Sequence, residues 1–294
     1  MTNRDKSGNS NRHPVFPIYI WVGLGLISIF WILNWSLDGL RTHWGFFPLW
    51  LGYCLFVDGL VYYRRGTSLM TRSLRRYIGL FLLSAPIWWI FEGINWRLQN
   101  WIYLGVHHFS PLEYSFWSTL NFMVVIPAVF STVEFFSSFG FLKHNIHGPV
   151  IRPNKPTTLT FFILGWVMML LMMTWPQIFF PFAWLSLFFI LEPINIWMGN
   201  HSLTRWTRRG NWSVIITLWL GVLTTGFFWE LWNFYSYPKW IYQIPWGDWI
   251  RIFEMPLLGY GGYLPFALEL YAFTHLVFGL LGNKNPEILN FPSD

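Results

Sequence analysis

Cysteine and charge are both scarce in this chain. Its one cysteine, Cys54, stands inside an apolar run, so neither a disulfide framework nor a cysteine-based metal site can be built from it. Charged residues make up 11% of the 294 positions, against about a quarter in a soluble domain, which excludes water as the main solvent. Also missing are a glycine-rich phosphate loop, a serine-centred nucleophile motif, an H-E-x-x-H metal motif and a haem-attachment motif. No cofactor is expected. The adjacent His107 and His108 point different ways from a loop and are not expected to hold a metal, and the lone His275 reads as a hydrogen-bonded packing residue.

In place of charge there is apolar surface: 54% of the residues are hydrophobic and 22 are tryptophan. A bilayer core needs roughly 20 apolar residues per helix. Eight segments meet this, at about 16–36, 45–63, 77–96, 112–136, 157–175, 178–198, 212–232 and 255–282. The expected fold is an all-α integral membrane protein. The first segment follows a polar stretch, residues 1–15, with Arg4, Lys6 and Arg12, but lacks a small-residue cleavage site, so it reads as a retained helix.

The pI near 9.5 does not call for nucleic acid, because the basic residues fall in alternate loops. Arg64, Arg65, Arg72, Arg75, Arg76, Lys143, Arg152, Lys155, Arg205, Arg208, Arg209 and Lys284 would share one side, leaving Arg41, Arg97, Lys239 and Arg251 on the other. The positive-inside rule then predicts a multi-pass protein of the cell's inner membrane with both termini cytoplasmic. The tryptophan-rich stretches Trp96 to Trp101 and Trp232 to Trp249 suit the headgroup level at the outer face.

The two halves align at an offset of 133 to 139 residues. Trp50-Leu51 matches Trp184-Leu185, Asp58 matches Glu192, Ser68-Leu69 matches Ser202-Leu203, and Arg75-Arg76 matches Arg208-Arg209. Glu92 matches Glu230, Asn95 matches Asn233, Trp101 matches Trp240, Tyr103 matches Tyr242 and Pro127 matches Pro265. Coincident acids and amides carry more weight than matched leucines. The pattern predicts two tandem parallel four-helix repeats, at 16–136 and 157–282, joined by a cytoplasmic linker at 137–156, with tails at 1–15 and 283–294.

Six acidic residues, Asp58, Glu92, Glu134, Glu192, Glu230 and Glu269, fall inside the predicted spans, and Glu113 and Glu254 stand at outer helix starts. A charge at the bilayer centre costs on the order of 3 kcal/mol, so these should face the bundle interior, where a low dielectric disfavours the charged form. Glu92 and Asn95, like Glu230 and Asn233, are three residues apart on one helix face. Each pair reads either as interhelical glue or as part of a binding site. Asp58 and Glu192 are expected to pair with Arg64, Arg65, Arg205 or their neighbours. Glu134 and Glu269 each follow a helix proline whose freed carbonyl a neutral carboxyl could satisfy.

The run Phe91-Glu92-Gly93-Ile94-Asn95, then Trp101-Ile102-Tyr103, then Ser110-Pro111-Leu112-Glu113-Tyr114-Ser115-Phe116-Trp117 resembles the bacterial heterodimeric and fungal bifunctional lycopene cyclases. Those helical membrane proteins carry an acid on one helix, a W-x-Y loop and a P-L-E-E helix start, twice over. The second half offers Trp229-Glu230, Trp240-Ile241-Tyr242 and Glu254-Met255-Pro256. Here Tyr114 stands where the family has a second carboxylate, and each half has four spans where the family has about three.

The resemblance implies carotenoid-cyclase chemistry without redox: a protonated carboxyl in a dry pocket protonates an alkene and aromatic faces stabilise the cation. Glu92 and Glu230 would then be the acid and base, assisted by Glu113 and Glu254. Asn95, Asn233, Trp101, Tyr103, Trp240 and Tyr242 would contact a lipid or isoprenoid substrate. A proton- or ion-coupled transporter or channel, or an accessory subunit of a membrane complex, remains open beside that reading, as do oligomeric state and substrate. An enzyme predicts a closed cavity beside Glu92 and Glu230, and a transporter predicts a water path reaching both faces.

Overall fold

The computed structural model describes residues 16–140, 146–282, 288, 289 and 291. The predicted N-terminal tail, the middle of the linker with Lys143, and all of the C-terminal tail except residues 288, 289 and 291 lie outside the described residues, as do Arg4, Lys6, Arg12 and Lys284. The helices are α1 (Ile18–Ser36), α2 (Thr42–Arg65), α3 (Leu69–Arg72), α4 (Leu74–Leu98), α5 (Pro111–Phe122), α6 (Val125–Ser137), α7 (Lys155–Thr174), α8 (Pro176–Phe179), α9 (Ser186–Met198), α10 (Thr204–Thr207), α11 (Ser213–Phe234) and α12 (Leu257–Leu280). Four short strands accompany them: β1 (Trp101–Leu104), β2 (Lys239–Tyr242), β3 (Arg251–Ile252) and β4 (Met255–Pro256).

Among the described residues, seven helical segments are long and apolar enough to cross a membrane, and an eighth is present if a bent pair counts as one span. The chain is thus a polytopic, all-α membrane protein. That eighth span is where sequence and structure part: Pro176–Trp184 and Ser186–Met198 meet at 41°. Pro176 and Pro181 start a single α-turn and a 3₁₀ turn, each proline fixing φ and removing an N–H donor. By contrast α12 runs unbroken through Gly259, Gly261, Gly262 and Pro265.

Helix boundaries follow local chemistry. Ser110 accepts from the Glu113 N–H while Glu113 accepts from the Ser110 N–H, a capping box that starts α5 with Pro111 at its first position. Asn154 caps α7 through the Thr157 N–H, and α2 stops at Gly66 in the left-handed conformation, φ 72°.

α1 and α7, the first helix of each half, are the least buried spans and present residues such as Trp21, Ile32, Trp166 and Leu170 outward, as lipid-facing helices should. Each lies on the next span of its own half with backbones nearly touching. A Cβ on Gly23 would sit 2.6 Å from the Gly52 carbonyl oxygen, and one on Gly165 2.8 Å from the Ile190 nitrogen, so only glycine allows this approach. The centre is α2, α6 and α11. Val124 through Glu134 are buried without exception, and Tyr53, Thr132 and Thr225 join the three helices by hydroxyl contacts of 2.7 and 3.3 Å.

Toward the arginine-rich end of the bundle the acidic residues are each held through at least one oxygen, while Glu192 Oε2 and Glu269 Oε2 have no hydrogen-bond partner among the described residues. Asp58 accepts from the Ser68 hydroxyl at 2.7 Å and the Met70 N–H at 3.1 Å, and Glu192 accepts from the Thr204 N–H at 3.1 Å. Both carboxyls therefore serve the start of a one-turn helix, α3 or α10, and the expected arginine pairs are not what holds them. The reason is proximity: the chain reverses and brings its own unpaired N–H groups, twelve residues on in both cases, to the carboxyl. Glu134 forms a two-pronged ion pair with Arg72. Glu269 accepts from the Leu187 N–H at 3.2 Å, at the break in the bent Pro176–Met198 pair, the sixth span in chain order. Neither carboxyl is accounted for by a proline-freed carbonyl.

Candidate functional site

The opposite end of the bundle, where the strands lie, holds Glu92, Glu113, Glu230 and Glu254. β1 and β2 come from different halves and pair antiparallel, with Trp101 opposite Tyr242 and Tyr103 opposite Trp240. The two W-x-Y segments thus form one ribbon. Each is tied to its own helix by an amide. Asn95 donates to the Trp101 carbonyl at 2.8 Å and accepts from the N–H groups of Asn100 and Trp101 at 2.9 and 3.3 Å. Asn233 donates to the Trp240 carbonyl at 2.7 Å and accepts from its N–H at 3.0 Å. Neither asparagine bonds its neighbouring glutamate, and neither lines the cavity described below; both are clamps on the ribbon. The Asn95 clamp has a simple cause: Gln99 takes a left-handed conformation, φ 54°, and turns the backbone onto the amide.

With the ribbon clamped, its side chains reach the carboxyls. Glu92 Oε1 accepts from the Tyr103 hydroxyl at 2.6 Å and from the indole N–H groups of Trp88 and Trp101, both at 3.0 Å. Glu230 Oε1 accepts from the hydroxyls of Tyr242 at 2.7 Å and Tyr263 at 3.0 Å, while the Trp240 indole donates to the Tyr242 oxygen at 3.0 Å. Burial, then the adjacent Glu92, push the Tyr103 hydroxyl well above its ordinary pKa, and burial, then Glu230, do the same for Tyr242. Both stay O–H donors. Gly226, one turn before Glu230, makes room for the Tyr263 ring, whose Cε2 would lie 2.5 Å from a Cβ there.

The two carboxyls are not equivalent. Glu230 is fully buried, lines a cavity of about 170 Å³, and its Oε2 has no hydrogen-bond partner among the described residues. Glu92 stands one layer back, behind Trp88, Trp101 and Tyr103, which all line that cavity. The walls are mostly rings. Trp101 and Trp184 stack at 5.6 Å, Trp88 meets Phe266 at 5.9 Å, and Trp184 meets Phe266 at 5.6 Å. An engineered cavity of roughly 150 Å³ holds benzene, so this one holds a ring-sized group.

Of the residues expected to assist, Glu113 is exposed, held in the capping box, and absent from the cavity wall. Serine at the N-cap and glutamate three residues on is a helix-start signature, and it accounts for this residue. Glu254 is ion-paired to Lys239, a cavity-lining residue, so its contact with the site is indirect. His107 and His108 place their rings 4.0 Å apart, while His275 Nδ1 lies 2.9 Å from the Tyr271 carbonyl, the packing role expected of it.

Sequence reasoning missed Trp88, Trp184, Tyr263 and Phe266. Trp88 was within reach, being one turn from Glu92 on the same helix face. Tyr263 and Phe266 come from the final helix, and no local spacing points to them. No family model, curated protein or solved structure matches the chain.

Proposed function

We propose that the chain is an intramembrane acid–base enzyme that isomerises or cyclises an isoprenoid or other unsaturated lipid. The observation that carries this is Glu230 at the wall of an aromatic cavity, with a second carboxyl, Glu92, set behind that wall and joined to the same cavity through Tyr103. Protonated on Oε2, Glu230 gives its proton to an alkene carbon; the π electrons form the new C–H bond and leave a carbocation. The faces of Trp88, Trp101, Trp184 and Phe266 stabilise the cation, each by about 0.5–2 kcal/mol. The Tyr103 oxygen removes a proton from a neighbouring carbon while its own hydroxyl proton passes to Glu92, and the released pair forms the new double bond. One proton enters and one leaves, so no oxidant is required, and water resets the carboxyls. Glu230 is the catalytic acid and Glu92 a positioning residue acting through Tyr103.

The likeness of both W-x-Y segments to the lycopene cyclases, and the matched settings of Asp58 with Glu192, Asn95 with Asn233 and Gly23 with Gly165, support a duplicated four-span unit. In this reading the arginine-rich end is cytoplasmic and the ribbon end faces out of the inner membrane. The test is mass spectrometry of lipid and pigment extracts from cells lacking the protein, complemented by wild type or Glu230→Gln. A lipid that accumulates on deletion, and is consumed again only with wild type, supports the enzyme; unchanged extracts reject it.

One observation favours proton- or ion-coupled transport instead. The sixth span is broken beside Glu269, and helix breaks at carboxyls serve ion sites in transporters. Proton flux into proteoliposomes that Glu269→Gln abolishes would favour that reading.

A further inference from the structure

We infer that the substrate carries a hydroxyl group, bound by a polar wall of the cavity formed by Thr42, His43 and Asn121. This rests on the cavity being a lipid-substrate site and goes beyond it by naming the substrate class.

All three residues line the cavity. Each holds a polar atom that is buried and without a hydrogen-bond partner among the described residues: Thr42 Oγ1, His43 Nδ1 and Asn121 Oδ1. Thr42 is 7% exposed. A buried polar atom left unpaired costs about 1–3 kcal/mol, so a ligand group that pairs with these three recovers part of that cost. Their neighbours keep them in place. The Thr42 N–H donates to the Tyr237 carbonyl at 3.0 Å, the His43 ring is held edge-on by Phe109 and Trp117 at 5.1 and 5.0 Å, and Asn121 Nδ2 donates to the His43 carbonyl at 3.2 Å.

That last bond fixes which end of the Asn121 amide is free: the oxygen, which only accepts. A ligand that satisfies it must donate; the Thr42 hydroxyl can donate or accept, and His43 Nδ1 does one or the other according to its tautomer, so a group able to do both meets all three atoms. A hydroxyl does both. A ketone or ether lacks the donor, and a hydrocarbon satisfies none of the three. Lys239, the cation on the wall, is already paired with Glu254, so no free cation there calls for an anionic group. The cavity admits a ring-sized end, which places the hydroxyl within a few bonds of the carbon that Glu230 protonates; the rest of the lipid extends beyond the cavity.

The test is binding of a C20 polyprenyl alcohol, geranylgeraniol, to the full chain in nanodiscs, compared with its methyl ether and the hydrocarbon of the same skeleton, read by quenching of tryptophan fluorescence. The alcohol should bind at least about tenfold more tightly than either analogue, the worth of one satisfied buried hydrogen bond. In Thr42→Val/Asn121→Leu that preference should fall to within about twofold, with hydrocarbon affinity unchanged. Equal affinity for alcohol and hydrocarbon on the wild type, an ether as tight as the alcohol, no measurable alcohol binding, or a preference that survives the double variant would each overturn the inference. Should the double variant fail to fold, the three ligands on the wild type still decide it. Glu230→Gln should keep the preference. A preference without lipid turnover in cells therefore rejects the enzyme alone, and turnover of a hydrocarbon without the preference rejects the hydroxyl alone.

Discussion

Replacing Asn95 by alanine should cost more than replacing any surface asparagine, and the cost can be worked from its bonds. The side chain is 6% exposed and makes three hydrogen bonds, one donated to the Trp101 carbonyl and two accepted from the N–H groups of Asn100 and Trp101. At a net value of about 1 kcal/mol each, the loss is about 3 kcal/mol. Asn233 makes two such bonds to Trp240, so Asn233→Ala should lose about 2 kcal/mol. The damage should be local to the ribbon. With Trp101 and Tyr103 released, Glu92 loses two of its three donors, and activity should fall even where the helices remain folded. The assay is SDS titration in mixed micelles followed by tryptophan fluorescence, with far-ultraviolet circular dichroism as the check on helix content. An Asn95→Ala loss under about 0.5 kcal/mol, or one well below that of Asn233→Ala, would refute the clamp.

Three further outcomes are expected. Glu113→Gln should retain lipid turnover, because the residue is an exposed capping-box member, and should cost no more than about 1 kcal/mol of helix stability; a loss of turnover would return it to the site. Gly226→Ala places a methyl against the Tyr263 ring and should cut turnover by displacing a donor to Glu230, with a stability loss of about 1–3 kcal/mol from overpacking; wild-type rates in the folded variant would show that Tyr263 is dispensable. Gly23→Val should separate α1 from α2, seen as weakened protection of α1 in hydrogen exchange, whereas Gly25→Val, with open space around it, should leave protection unchanged.

The spans were legible because each is a long apolar run, and run length is a one-dimensional quantity. Their interruptions were not. The pause at Met123 and Val124 between α5 and α6 and the bend at Leu185, downstream of Pro176 and Pro181, do not shorten the apolar run and so leave no mark on its length. The same division holds at the site. Glu92 and Glu230 stood out as acids in apolar surroundings, and the W-x-Y matches fall on the two segments whose tyrosines bond those carboxyls. That those segments pair with each other across some 140 residues of chain, that the asparagines hold backbone and not carboxyl, and that Glu92 lies a layer behind Glu230 are matters of three-dimensional reach. The charge pattern also misled: Asp58 and Glu192 sit near arginines in sequence, yet nearer N–H groups take them.

The most direct test of the central claim is isotope uptake. Washed membranes that hold the protein and precursor lipid made in ordinary water are transferred to heavy water, and the lipid whose level responds to deletion is analysed for deuterium on carbon. An alkene protonated by Glu230 and relieved of a different proton should appear one mass unit heavier than its precursor, with no such product in the Glu230→Gln strain. A product that forms without carbon-bound deuterium, or that forms equally in Glu230→Gln, would contradict the account.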